Sequence, residues 1–285
     1  MTFLWAARRG LSESELLDLL GSNGIPLPHV HWSLLYLAAE HSLVNRSGLL
    51  GFFHSFLCEA VELRYLSNEK AKNNAHLCLA DYFENRDLDE RKIAELPWQL
   101  SKARAWPRLY NLLSDLSFLA SAWNADDFEV KAFWTEVENN SPFRMLNAYR
   151  SVLEAPKDYD EYIWNLAFLL HETGHWTEAL SLRTYIVDRV RGTENRVDLA
   201  GALCNQALIL KYRGDLDRAI ELLQEGEQIC RELNDQERLA INLSHQADIL
   251  YTRGDLDRAI ALHERGEQIC RRLNNKEKLP ACLAG

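Results

Sequence analysis

The chain has 285 residues, 47% of them hydrophobic and 26% charged, with 28 aromatic side chains and a formal charge of −10. That apolar content excludes a disordered chain, the lack of any apolar run near 18 residues argues against a membrane-spanning helix, and the acidic balance argues against phosphate-backbone binding as the main activity. Thr2–Ala7 runs at once into Arg8 and Arg9, too short a stretch for a signal peptide. The six cysteines (58, 78, 204, 230, 270 and 282) form no CxxC pair and read as reduced intracellular thiols. A soluble cytoplasmic protein is the expectation.

In residues 1–67 the elements read helix, helix, hairpin, helix. Ser12-x-x-Glu15 is a capping box opening a helix over Leu11–Leu20. Trp32–His41 follows, with Leu34, Leu35, Leu37 and Ala38 on its apolar side. Ser42–Val44 and Leu49–Phe53 flank Asn45-Arg46-Ser47-Gly48 as a hairpin. His54–Leu66 then resumes helical spacing through Phe56, Leu57, Ala60, Val61 and Leu63. This order is winged-helix-like. Such domains often bind DNA through their second or third helix, but the element before the hairpin, Trp32–His41, carries Glu40 and no Lys or Arg. Residues 1–150 hold 15 basic against 19 acidic side chains, so DNA binding is not expected.

Residues 68–155 show helical spacing over 69–85, 91–105, 107–122, 128–139 and 141–153, a helical linker array. Trp98, Trp106, Trp123 and Trp134 are expected as inter-helix core. Asp126-Asp127 and Asp158–Glu161 are expected as helix caps rather than catalytic carboxylates.

Residues 156–285 repeat themselves. Gly214-Asp215-Leu216-Asp217-Arg218-Ala219-Ile220 returns as Gly254–Ile260, and Leu203–Asn242 laid on Leu243–Cys282 matches at 24 of 40 positions. A diverged copy, Gly174–Leu180, stands one period earlier. Each period predicts two helices: a stripe of Leu203, Ala207 and Leu210, a stop at Gly214, then Ala219, Ile220, Leu223, Gly226 and Ile229. One such pair cannot bury its stripe alone, so copies must stack. The small residues at Ala207, Ala219 and Gly226 and the Gly214-Asp215 turn resemble the tetratricopeptide repeat (TPR), with a longer period than the usual ~34 residues, as in the kinesin-light-chain style. Gln206 and Gln246 stand where the family usually has Leu. Leu279–Leu283 resembles the first turn of a further repeat.

The TPR resemblance implies that the first helix of each pair lines a concave face. Position by position, that face carries Trp164, Phe168 and His171, then Cys204, Leu208, Lys211 and Tyr212, then Ser244, Asp248 and Tyr251. Each of these has an alternative role in packing between repeats. Such grooves take proteins or peptides and need no cofactor.

Three stretches carry a second resemblance: Leu4–Leu17, then Leu43–Gly48 with Phe53-His54, then Glu95-Leu96-Pro97-Trp98-Gln99-Leu100 with Trp106 and Leu109 through Phe118. Their order is similar to the winged helix and helical linker of STAND NTPases (the NACHT and NB-ARC class), nephrocystin-like members among them. The resemblance implies a nucleotide-binding domain preceding this segment. It also implies that His54, at the start of the last winged-helix helix, contacts the β-phosphate of ADP; Ser55 stands where the family often has Asp. The sequence contains no G-x-x-x-x-G-K-[ST], so hydrolysis by this stretch is not expected.

His171-Glu172-Thr173-Gly174-His175 satisfies HExxH, which in zinc peptidases sets both histidines on one helical face. Gly174 aligns with Gly214 and Gly254 at the inter-helix turn, so the repeat frame argues against zinc. The expected fold is mainly α: a small winged-helix domain, then an α-α superhelix of linker and TPR solenoid. The expected role is a non-catalytic sensor and scaffold segment. A stand-alone TPR adaptor is the alternative, and a zinc hydrolase the remote one.

Overall fold

The N-terminal segment folds in the expected order. In the computed structural model, which describes residues 1–273, α1 (Thr2–Ala6), α2 (Glu13–Leu20) and α3 (His29–Ala39) precede the hairpin β1 (Leu43–Arg46) and β2 (Leu49–Phe52), and α4 (Ser55–Tyr65) follows. The expected repeat turn at 279–283 lies outside the described residues. The capping box forms: Ser12 Oγ accepts from the Glu15 N–H and the Glu15 carboxylate accepts from the Ser12 N–H. β1 and β2 pair antiparallel from Leu43↔Phe52 to Arg46↔Leu49. Ser47 and Gly48 close the hairpin with φ of 54° and 85°, the two positive values that a type I′ turn needs. Leu11 adds a further antiparallel bridge to Leu50.

The expected burial of the second helix is corrected. It starts three residues earlier, at His29, and ends at Ala39. Trp32 is its buried residue, while Leu34 and Leu37 are 67% and 63% exposed. Its sequence, HVHWSLLYLAA, is apolar nearly all round, so periodicity could not choose a face. In α4, Val61 is inside, but Phe56 and Leu63 are exposed.

The helices α5 (Glu69–Glu84), α6 (Glu90–Lys102), α7 (Trp106–Ser114), α8 (Leu116–Ala125), α9 (Asp127–Asn140) and α10 (Met145–Ala148) complete a first compact unit, Met1–Tyr149. The expected helix over 107–122 is two, because Asp115 leaves helical geometry and caps α8 by accepting from the Phe118 N–H. The segment 141–153 likewise breaks at Tyr149. Asp126 caps α9 as expected. Of the four linker tryptophans only Trp134 is fully buried; Trp98, Trp106 and Trp123 are partly exposed. Trp98 lies under the Arg8 guanidinium and the Lys102 ammonium, a stack that leaves both cations in reach of water.

Two motifs far apart in sequence clamp each other. Glu95 of α6 is fully buried and accepts from the backbone N–H of Arg8 (3.1 Å) and Arg9 (3.2 Å), from Gln99 Nε2 and from Arg91. Gln99 donates to Ala6 O at 2.9 Å and meets His76 Nδ1 at 2.7 Å. Arg91 also holds the buried Glu15 carboxylate and Gly10 O. The Leu4–Leu17 and Glu95–Leu100 stretches are thus the two halves of one buried polar network.

The second unit begins at Arg150 with α11 (Arg150–Glu154). Three helix pairs follow: α12 (Ile163–Glu172) with α13 (Trp176–Arg191), α14 (Arg196–Tyr212) with α15 (Leu216–Glu232), and α16 (Gln236–Thr252) with α17 (Leu256–Arg272). The glycines that end the first helix of each pair, Gly174, Gly214 and Gly254, all have φ +83°, a left-handed stop that costs glycine nothing. Asp215 and Asp255 then cap the second helices. Ala207, Leu210, Ala219, Leu223 and Ile249 form a core across pairs. At Gly226 an added Cβ would stand 2.8 Å from Asn242 Nδ2, so any side chain here must displace the Asn242 amide where neighbouring pairs meet. Gln206 and Gln246 are buried because each finds a partner on the preceding helix: Thr184 Oγ1 at 2.8 Å and Glu227 Oε2 at 2.7 Å.

Candidate functional site

The first helices α12, α14 and α16 carry the expected groove residues at equivalent positions: 164, 204 and 244; 168, 208 and 248; 171, 211 and 251. The structure brings some of them together. Lys211 Nζ lies 3.1 Å from Asp248 Oδ2, joining α14 to α16. Tyr212 stacks on Trp176 with ring centroids 6.0 Å apart, and its ring centre is 5.4 Å from that of His171. His171, Glu172, Gly174, Trp176 and Tyr212 line a small cavity of about 240 Å³. Trp164 and Phe168 are half-buried and lie against the Arg183 guanidinium, with Phe168 nearer at 4.0 Å.

Other candidates serve packing. Ser244 is buried, and Cys204 packs against the core of Ala207 and Leu210. Burial pushes the Cys204 thiol up to about 12 and that of Cys230 up to about 11, far from a reactive thiolate. Leu208 is half-buried and Tyr251 exposed.

Four residues that spacing alone did not single out also stand here: Trp176, Arg183, His245 and His263. Burial holds the His245 and His171 imidazoles below the ordinary histidine range. Asp248 opposes this at His245 and Glu172 at His171, while Lys211 and Arg183, respectively, reinforce it. His263 Nε2 is 3.7 Å from Asp248 Oδ1. Repeat alignment offers the signal for two of the four: Arg183 and His263 occupy the slot filled by Leu223 in the middle copy.

The lowered histidines predict a pH response. An unfolded histidine titrates near about 6.5, whereas buried His245 takes its proton only at lower pH. Between those values the unfolded chain binds more protons, so stability falls as pH falls. Melting temperature should drop between about pH 7.5 and about pH 5.5, and His245→Gln should flatten part of that drop. Thermal melts across this range with unchanged slope in the variant would refute the assignment.

The HExxH match does not make a zinc helix. α12 ends at Glu172, Gly174 turns the chain at φ +83°, and α13 begins at Trp176, so His171 and His175 fall on either side of a turn. Among the described residues no group of three or more His, Cys, Asp or Glu is placed to hold a metal ion.

In the first unit, His54 is the N-cap residue of α4, but its side chain makes no capping bond. Its ring stacks on Phe56 at 4.7 Å. With Arg9, Arg46, Ser55 and Cys58 it lines a cavity of about 270 Å³.

Residues 198–272 match the tetratricopeptide repeat family, in agreement with the paired helices and their glycine turns. The chain carries tetratricopeptide repeats. A TPR repeat-containing protein of Dictyostelium discoideum is 29% identical over 168 residues, 54% of this chain and 10% of that protein. Nephrocystin-3 of Mus musculus is 24% identical over 192 residues, 64% of this chain and 14% of that protein. This chain therefore spans about a tenth to a seventh of the length of these curated relatives. Among solved structures, a Signal Transduction ATPase with Numerous Domains (STAND) protein with a tetratricopeptide repeat sensor, from Pyrococcus horikoshii, aligns with TM-score 0.42 and 13% identity, covering 99% of this chain and 52% of that one. Tetratricopeptide repeats indicate a protein–protein interaction scaffold. No described helix is long and apolar enough to cross a membrane.

Proposed function

We propose that this chain is the non-catalytic sensor and scaffold segment of a STAND-type signalling NTPase acting in the cytoplasm. In this reading residues 1–67 are a winged helix that docks on a nucleotide-binding domain, residues 68–155 are the linker, and the repeat groove takes a protein or peptide. The observation that supports it best is the exposed apolar surface of the first segment. Leu34, Leu37, Phe53, Phe56 and Leu63 are each at least 63% exposed. Large apolar side chains gathered in so short a stretch are characteristic of a surface that another protein domain covers. The cavity beside them is lined by His54 at the start of α4, Arg46 of β1 and Arg9 after α1, a chemistry suited to a phosphate contributed from the docked domain. The groove side is supported by the half-buried Trp164 and Phe168, the exposed Tyr212 and Tyr251, and the polar Lys211–Asp248 pair.

Sequencing the source locus upstream of the codon for Met1 tests this reading. The expected result is an in-frame G-x-x-x-x-G-K-[ST] within a few hundred codons. A stop codon close upstream would instead make the chain a stand-alone TPR adaptor, and the apolar surface would then have to belong to a partner in trans.

A further inference from the structure

The turn that joins α12 to α13 carries a group of rings that the next copy lacks. Trp176 opens α13, and Tyr212, the last residue of α14, stands beside it. The two rings stack with centroids 6.0 Å apart and planes 20° from parallel, and the His171 ring centre lies 5.4 Å from that of Tyr212. All three line the cavity of about 240 Å³ that Glu172 and Gly174 complete. Trp176 is 41% exposed and Tyr212 57%, so neither ring is spent on filling the core. Large rings left at the surface around a concavity are characteristic of a binding site.

The repeat frame shows that packing does not require them. Shifted by one period, His171, Trp176 and Tyr212 become Lys211, Leu216 and Thr252. Leu216 packs against the core of Ala219 and Leu223, so an aliphatic residue serves at the start of the second helix. The first corner has three aromatic rings in place of that cation, aliphatic chain and hydroxyl. An indole and a phenol present negative π faces to a cation. The Glu172 carboxylate, 46% exposed and 3.9 Å from His171 Nδ1, adds a negative charge to the same lining. Burial keeps the His171 imidazole below the ordinary histidine range, so at neutral pH it brings no positive charge. Two nearby cations are engaged elsewhere, Lys211 with Asp248 and Arg183 against the Phe168 ring.

We propose that the corner of Trp176, Tyr212, His171 and Glu172 binds a quaternary ammonium group, the chemistry shared by a trimethyllysine side chain and by choline. Such a cation has no N–H to satisfy, and what it asks of a site is aromatic faces and a nearby negative charge. A primary ammonium is compact and strongly hydrated, and gives up more water than these rings repay. The site does not depend on reading the concave face as a peptide groove. Only the source of the ammonium does, because His171 and Tyr212 are also groove positions.

Fluorine NMR of the whole chain carrying 5-fluorotryptophan tests the site with tetramethylammonium as the probe. Trp176→Leu identifies the Trp176 resonance by its disappearance, and supplies the residue that the other copies have at 216 and 256. On titration with tetramethylammonium chloride that resonance should shift and saturate. Sodium chloride at equal ionic strength should leave it in place, and methylammonium should bind more weakly. Tyr212→Thr, which takes the residue found at 252, and the surface change Glu172→Gln should each weaken tetramethylammonium binding roughly threefold or more while the chain melts near its native temperature. A shift that does not saturate, that sodium reproduces, or that both variants retain at full affinity would make the rings a packing feature and overturn the proposal. Choline, and displayed random octapeptides carrying either trimethyllysine or lysine, then separate the sources. Peptides selected for trimethyllysine, and lost on Trp176→Leu, would support a peptide ligand in the groove. Saturable choline binding with no preference for trimethyllysine over lysine would support a free small molecule and count against the groove as the source, with the ammonium site intact.

Discussion

Glu95→Ala should lower the stability of the Met1–Tyr149 unit by about 3–5 kcal/mol, the usual consequence of removing one member of a buried ionic network. The carboxylate is fully buried and accepts four donors: two backbone N–H groups at Arg8 and Arg9, the Gln99 amide and the Arg91 guanidinium. Alanine leaves those donors facing each other without an acceptor, and each unsatisfied buried donor carries its own penalty. Arg91 retains Glu15, so its charge is not wholly stranded and the loss should fall short of complete unfolding. Glu95→Gln keeps the volume and one acceptor oxygen, and should cost less than alanine. Urea unfolding followed by circular dichroism reads both. A loss below about 1 kcal/mol for the alanine variant would mean that water replaces the carboxylate and that the network contributes little.

Ala219→Trp should have a comparable effect on the repeat unit, about 3 kcal/mol or more. Ala219 is fully buried where α15 meets its neighbours, within the cluster of Ala207, Leu210, Leu223 and Ile249. An indole cannot enter without pushing helix axes apart, and each pair relies on its neighbours to cover its apolar stripe. The expected readouts are a markedly lower melting temperature and faster limited proteolysis after Arg150. Arg218→Ala, one residue away and exposed, should stay within about 0.5 kcal/mol of the native chain. An unchanged melt for Ala219→Trp would contradict the interhelical packing described above.

The repeat was legible because glycine and alanine have few reasons to recur at a fixed spacing other than backbone geometry. Gly174, Gly214 and Gly254 share one left-handed conformation, and Ala219 and Ala259 share one buried contact position. The capping boundaries at Ser12 and Asp126 were legible for a similar local reason. What escaped was whatever depends on distant partners. The face of α3 could not be chosen from a sequence apolar all round. The break at Asp115 was hidden because apolar spacing continues on both sides of it. The Glu95–Arg8 clamp spans 87 residues, and neither stretch alone says that a carboxylate will close on backbone amides. On the first helices of the pairs, helical position identified Lys211 and Asp248 separately, but their pairing at 3.1 Å needed the stacking of α14 on α16. Arg183 was visible only as an exception to an apolar slot.

The glutamines that bridge neighbouring helix pairs have a consequence for how the array could change over time. Gln206 reaches back to Thr184 and Gln246 to Glu227, each a polar acceptor on the second helix of the preceding pair. Excising 203–242 would join Ala202 to Leu243, restoring the residue that originally followed it, and would bring Gln246 opposite Thr184. The junction is therefore self-healing: the array can be shortened or lengthened by 40-residue units through recombination between copies that match at 24 of 40 positions, with each new interface inheriting a small-residue contact and a glutamine latch already made to fit.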